Sequence, residues 1–312
     1  MRIGITLGEY FGIGPEIFLK TYQSMGKQFP SCKIYGSERL LEEKAHQLGI
    51  ETFWKDSQKF ILREAAFGQI EKKDFKSRAE YVLRTLDAAI ADANDKHISG
   101  IVTCPIDKSI IQHVIPNFTG HTEYLAQKSG VKKTVMMLCN LDCNIALLSN
   151  HVSLRHVSQT LTSENVEHVI RTALDSFTRH FDVSKPKAAV LGLNPHAGEL
   201  DPESEEKNIF NPLLQKLQNE GVNIFGPFPA DSFFPKAKSQ GWDIVFSPYH
   251  DQGLVAAKYN GLEHVINVTL GMPYLRISPG HGTAYDIVDK NIADHRSFQR
   301  ALLTLQKQSL IL

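Results

Sequence analysis

Short apolar runs rich in β-branched residues alternate along this chain with amphipathic stretches whose apolar positions recur every three or four residues. The first kind suits strands and the second suits the helices that cover them. The pattern therefore predicts an α/β fold built on a largely parallel sheet. Strands are expected at Arg2–Leu7, Lys33–Gly36, Gly100–Cys104, Thr134–Leu138, Asn144–Ser149, Ala188–Leu193, Asn223–Phe225, Asp243–Ser247 and Val265–Leu270. Helices are expected at Pro15–Ser24, Arg78–Ala93, Thr122–Lys128, Glu164–Arg179, Asn208–Glu220 and Phe298–Ser309. Pro15 suits a first helical turn, where its missing N–H costs nothing. Ser163 is the expected N-cap of its helix, and Gly221 the expected stop after Glu220.

With no repeat, low-complexity segment or linker, 312 residues suffice for two α/β domains or one large one. Lys plus Arg and Asp plus Glu balance at 34 each, so no polyanion-binding surface is expected. That argues against nucleic acid and anionic membrane as partners, and any bound anion must be gripped by a few placed groups. No apolar run approaches the roughly 20 residues that span a bilayer. The apolar stretch in Met1–Gly8 is too short for a signal-peptide core, so a cytoplasmic protein is expected. Cys32, Cys104, Cys139 and Cys143 form no Cys-x-x-Cys pair and read as reduced, buried small hydrophobes.

Three histidines share one topological position. His151, His196 and His250 follow the expected strands Asn144–Ser149, Ala188–Leu193 and Asp243–Ser247. Ligands of parallel sheets collect at the carboxyl ends of strands. Three neutral imidazoles there could hold a divalent ion with one position open, with Asn194, Glu199 and Asp251 as outer partners. On position alone, the plainer reading is that they are loop histidines that close strands. The segment Asn117–Glu123 leads into a helix; Thr122 could cap it and His121 could complete an anion site, or the segment is an ordinary helix start. Lys258, Asn267 and Arg276 stand in otherwise apolar sequence and suit a phosphate or carboxylate, or else snorkel to the surface. The Gly8–Glu16 turn is glycine-rich but matches neither the dinucleotide fingerprint nor the phosphate loop. The His281–Ile287 loop reads either as a turn or as backbone open to a ligand, with Asp286 placed for a ribose hydroxyl.

Taken in order, Gly12-Ile13-Gly14-Pro15-Glu16, Pro105-Ile106 with Lys108, Thr119-Gly120-His121-Thr122-Glu123, Gly192-Leu193-Asn194-Pro195-His196-Ala197-Gly198-Glu199, Pro229-Ala230-Asp231, Tyr249-His250-Asp251-Gln252-Gly253-Leu254 and His281-Gly282-Thr283-Ala284 resemble one family along the whole chain. It is the family of 4-hydroxythreonine-4-phosphate dehydrogenase, from pyridoxal-phosphate biosynthesis. The resemblance implies the fold of the isocitrate and isopropylmalate dehydrogenases, with two α/β domains, a cleft between them and a homodimer whose active site lies near the interface. The domains would be residues 1–118 plus 272–312, and 119–271. By the same resemblance, His151, His196 and His250 would hold a divalent metal, zinc first, with magnesium, manganese and cobalt as alternatives. His121, Thr122, Lys258, Asn267 and Arg276 would bind substrate, and His281, Gly282, Thr283 and Asp286 would bind NAD, with NADP as the alternative. Lys258 or Asp251 would be the general base. The implied reaction oxidises 4-phosphohydroxy-L-threonine and decarboxylates it to 3-amino-2-oxopropyl phosphate.

Two segments depart from the family pattern. Tyr10-Phe11 stands where Pro-Ala is usual, and Val288-Asp289-Lys290-Asn291 where Ala-Gly-Lys-Gly is usual. Both add side chains near the expected cleft, so substrate and cofactor fit are the open questions. One alternative is a paralogue that oxidises 4-phosphothreonate or 4-phosphoerythronate. A second is a protein that binds metal and a phosphorylated ligand without turnover, and a weaker rival is a metal hydrolase, since three histidines could also activate water.

Overall fold

The computed structural model describes residues 2–50, 60–64, 70–308 and 310. The described chain divides into two compact units, with boundaries at Lys132/Lys133 and Gly271/Met272. The first unit begins with β1 (Ile3–Thr6), α1 (Gly14–Met25), β2 (Cys32–Gly36), α2 (Glu38–Leu48), β3 (Phe60–Glu64), α3 (Phe75–Asn94), β4 (Gly100–Thr103), α4 (Lys108–Ile111) and α5 (His121–Lys128). The second holds β5 (Val135–Cys139), β6 (Asn144–Leu147), α6 (Val157–Thr160), α7 (Ser163–His180), β7 (Ala188–Leu191), α8 (Asn211–Asn219), β8 (Ile224–Phe228), α9 (Ala230–Ala237), β9 (Ile244–Ser247), α10 (His250–Lys258) and β10 (Ile266–Leu270). The chain then returns to the first unit for β11 (Leu275–Pro279) and α11 (Arg296–Lys307).

The first unit's strands run β3-β2-β1-β4-β11, all parallel, with Ile5 beside Ile34 on one side and Val102 on the other. Every residue of β1 and β4 is buried, as strands covered on both faces require. α11 packs on β11, β4 and β1 through Phe298, Ala301, Leu302 and Leu305, one face of a helix. The second unit's strands run β10-β5-β6-β9-β7-β8; the β10–β5 and β5–β6 pairs are antiparallel and the rest parallel. α7 turns Val166, Ile170, Ala173 and Phe177 inward in the same way. Each large apolar side chain so buried contributes about 1.5–3 kcal/mol.

Several expectations shift. Thr162, not Ser163, caps α7, accepting the Asn165 N–H. α5 starts at His121 with Gly120 as its N-cap, so Thr122 lies inside the first turn and caps nothing. The segment 119–132 belongs to the first unit, not the second, because Phe118, Tyr124 and Leu125 share a core with Tyr81, Leu86 and Ile90. The Tyr124 hydroxyl also donates to Asp87 on α3 at 2.6 Å. α2, α4, α6, α9, α10, β3 and β11 are additional to the expected elements. The last helix ends at Lys307; its expected final residue, Ser309, lies outside the described residues, as do Met1, Ile311 and Leu312. All four cysteines are buried. Among the described residues, no helix is long and apolar enough to cross a membrane.

Candidate active site

In the first unit, β11 carries Arg276 into the interior, where it is 4% exposed and its Nε donates to Thr103 Oγ1 on β4 at 3.0 Å. A cavity of about 150 Å³ opens beside it, lined by Thr103, Lys108, Gly120, His121, Arg276 and Ser278 among others. The His121 Nε2 is buried with no hydrogen-bond partner. Burial, then the nearby charges of Arg276 and Lys108, hold this imidazole well below its usual range, so the ring is neutral. Burial brings Arg276 down to about 10, which leaves it cationic at neutral pH. The Lys108 side chain passes the bare Cα of Gly120, where a Cβ would meet its Cε at 3.3 Å. Two cations, a neutral ring with a spare nitrogen and the N-terminus of α5 suit an anion, with the Glu123 carboxylate beside Gly120 and acting on Arg276 offsetting part of that charge. The fold thus brings His121 and Arg276 together and sets Thr122 one residue along. Lys108, Thr103 and Ser278 are additions; only Lys108 lay in a motif visible in the sequence.

The His281 loop is fastened to the first turn of the same unit. The Ile13 N–H donates to Thr283 O at 3.1 Å. Glu9, fully buried, accepts the Phe11 N–H at 3.3 Å and pairs with Arg78 at 2.9 Å. Burial raises the Glu9 carboxyl against the pull of Arg78. Arg78 reaches the Tyr285 hydroxyl at 3.3 Å, and that hydroxyl donates to Asp107 at 2.9 Å. The His281 Nε2 is buried without a partner, and burial lowers this imidazole. Open space surrounds the Cα of Gly282, and Asp286 is exposed. Fixed backbone, an unused ring nitrogen and an open glycine fit a nucleotide cofactor laid against the loop.

The second unit holds the three strand-end histidines and brings two of them together. The His151 and His250 rings stand 5.3 Å apart. His250 Nδ1 bonds Asp251 Oδ1 at 2.7 Å, which leaves Nε2 for a metal. His196 is exposed in its own short turn, Pro195–Gly198. Among the described residues, no three His, Cys, Asp or Glu side chains form a set that could hold a metal ion. The donor chemistry of the imidazole pair suits a divalent ion, but a three-histidine set does not close within this chain. His151 and His196 both have left-handed backbone, at φ 42° and 54°, strain of a kind that gathers at functional sites. Gln252 ties their surroundings together: its Nε2 donates to Gly192 O at 2.9 Å, and its Oε1 accepts the Ser247 hydroxyl at 2.7 Å. The two candidate bases occupy opposite ends of α10, Asp251 near its start and Lys258 at its end, roughly 10 Å apart along the axis. Asn267 on β10 has a buried Oδ1 without a partner.

A family model described as pyridoxal phosphate biosynthetic protein PdxA matches residues 28–305. The chain belongs to the PdxA family. The 4-hydroxythreonine-4-phosphate dehydrogenase of Neisseria meningitidis serogroup A is 37% identical over 316 residues, covering 96% of this chain and 95% of that protein. The crystal structure of the Klebsiella pneumoniae 4-hydroxythreonine-4-phosphate dehydrogenase superposes with a TM-score of 0.85 at 27% identity, covering 98% of this chain and 99% of that one. Isocitrate dehydrogenase of Methylococcus capsulatus, at 14% identity, covers 98% and 85% with a TM-score of 0.52, a likeness of fold alone. The expected family and fold class both hold.

Against that PdxA background, the two departures meet in one place. Tyr10, Phe11, Val288 and Asp289 line a single cavity of about 210 Å³ in the first unit. The Tyr10 hydroxyl donates to Glu43 at 3.3 Å, the Phe11 ring lies 5.1 Å from the Arg78 guanidinium, and Asp289 pairs with Lys44. The extra carboxylate is thus neutralised by a lysine, and the aromatics are held by α2 and α3.

Proposed function

We propose that this chain oxidises 4-phosphohydroxy-L-threonine with NAD and a divalent metal, zinc first, and decarboxylates the product to 3-amino-2-oxopropyl phosphate. It would do so as a cytoplasmic homodimer in pyridoxal 5′-phosphate biosynthesis. The observation that carries this reading is the cradle of Arg276, Lys108 and His121, whose charge and size suit a phosphate monoester.

In this account Arg276 and Lys108 neutralise the phosphate. His121, being neutral, presents Nε2 to a phosphate oxygen, and Thr122 and the first N–H groups of α5 complete the grip. Asn267 offers its unused Oδ1 to the substrate's amino group or hydroxyl. His151 and His250 would hold the metal, with the third ligand, His196, brought to them in the homodimer, and His281, Gly282, Thr283 and Asp286 would hold the cofactor. When bound, the divalent ion makes the substrate hydroxyl more acidic, and nicotinamide accepts the hydride. Asp251 is engaged by His250 and fixes that ring's tautomer, which leaves Lys258 to take the hydroxyl proton.

The cavity at Tyr10, Phe11, Val288 and Asp289 favours a second reading, a paralogue for 4-phosphothreonate or 4-phosphoerythronate. NADH formation with each of the three substrates separates the two. A kcat/KM at least tenfold higher for 4-phosphohydroxy-L-threonine supports the first, and the reverse order overturns it. Zinc and phosphate binding without NADH formation from any of the three would instead mark a non-catalytic binding protein.

A further inference from the structure

The turn that carries His196 is strained and needs something to hold it. His196 and Ala197 take left-handed backbone in succession, at φ/ψ of 54°/28° and 52°/43°, within the short 3-10 turn Pro195–Gly198. Residues with a Cβ rarely enter this region, and two in a row persist only where the surroundings fix them. At the centre of the surroundings here is one buried carboxyl group, with Ser204 and Glu205 beside it. Glu206 is fully buried; its Oε1 accepts the Asn194 N–H at 2.8 Å, and its Oε2 accepts from Asn194 Nδ2 at 2.8 Å. Asn194 Nδ2 also donates to Glu205 at 2.7 Å.

The fit around this carboxyl is close on both sides of the turn. A Cβ at Gly192 would lie 3.0 Å from Glu206 Oε1, and one at Gly198 would lie 2.6 Å from Oε2. The turn therefore wraps the carboxyl between two residues that have no side chain. Glu206 itself begins a single π-helical turn, Glu206–Phe210, that runs on into α8, and such turns recur at functional sites. Glu199, the acid nearest His196 in sequence, is exposed and takes no part in this clamp.

We propose that Glu206 is a positioning residue that holds Asn194–Ala197 in the conformation presenting His196. It rests on the proposed role of His196 as a metal ligand, but the conformation it holds can be read without metal. In the full-length protein, Glu206→Ala should raise amide hydrogen exchange across Leu193–Gly198 at least tenfold, with β7 and α8 protected as before. Zinc affinity by calorimetry should fall 10–100-fold. Glu206→Gln keeps an acceptor oxygen for the Asn194 N–H but turns an NH2 toward the Asn194 amide donor, so its exchange should rise by less than in Glu206→Ala. Exchange at 193–198 unchanged in Glu206→Ala overturns the proposal, and so does a rise of equal size throughout β7 and α8. A parent protein that binds no zinc would count against the metal reading alone, because the exchange comparison still decides the role of Glu206.

Discussion

Replacing Lys108 with Met keeps an unbranched side chain beside Gly120 and removes one positive charge from the cavity that holds His121 and Arg276. Two unit charges about 4 Å apart in an effective dielectric near 20 interact by ~4 kcal/mol. A phosphate monoester carries nearly two charges, but Lys108 is exposed, so water and salt screen most of that energy. A net loss of about 1.4–2 kcal/mol remains, which is ~10–30-fold in KM. kcat should change far less, because the lost contact is made equally in ground and transition states. Unfolding free energy should stay within about 0.5 kcal/mol of the parent, as for most surface substitutions. The His121 imidazole should also titrate higher, since one of the two cations that depress it is gone. Steady-state kinetics at low and high salt, urea unfolding and a histidine NMR titration read these quantities. A KM within twofold of the parent at low salt would refute the cradle, as would a KM rise that merely tracks a loss of stability.

His121 also sets a pH dependence. Its folded imidazole lies well below 6.5, so between that value and 6.5 the unfolded chain binds the extra proton. Stability from this group is complete above 6.5 and declines as the pH falls below it. The urea midpoint of the parent should therefore drop more between pH 7.5 and 5.5 than that of His121→Gln, and equal drops would show that the ring is not held neutral. Phe11→Ala removes the ring lying against Arg78 and should lower unfolding free energy by about 0.5–2 kcal/mol while enlarging the cavity at Asp289. A thermal melt reads the first effect and the NAD KM the second; a variant identical to the parent in both would remove this cavity from the account.

Much of the fold was legible because burial imposes period. α7 and α11 show their inward faces as apolar residues three and four apart, and the central strands as short apolar runs. α10 was missed for a physical reason. Gly253 sits in its middle and reads as a loop residue, yet a Cβ there would meet Leu147 Cδ2 at 2.9 Å. The glycine marks close packing of helix on strand, not a turn. β11 was hidden by Arg276, a charge inside a fully buried strand that is offset by Thr103 and the polar cavity beside it. At the site, the chemical types were visible but their convergence was not. Nothing local says that His121 and Arg276 share a cavity, or that His151 and His250 are the two strand-end histidines whose rings meet. Glu206 was invisible because its partner, Asn194, lies across a turn whose left-handed backbone leaves no composition signal.

The most direct test of the account is NADH formation from 4-phosphohydroxy-L-threonine and NAD, followed by absorbance with and without a metal chelator. The account predicts turnover that the chelator abolishes and added zinc restores, and that His151→Ala and His250→Ala each reduce at least 100-fold. Undiminished turnover in the chelated enzyme, or in either variant, would contradict it.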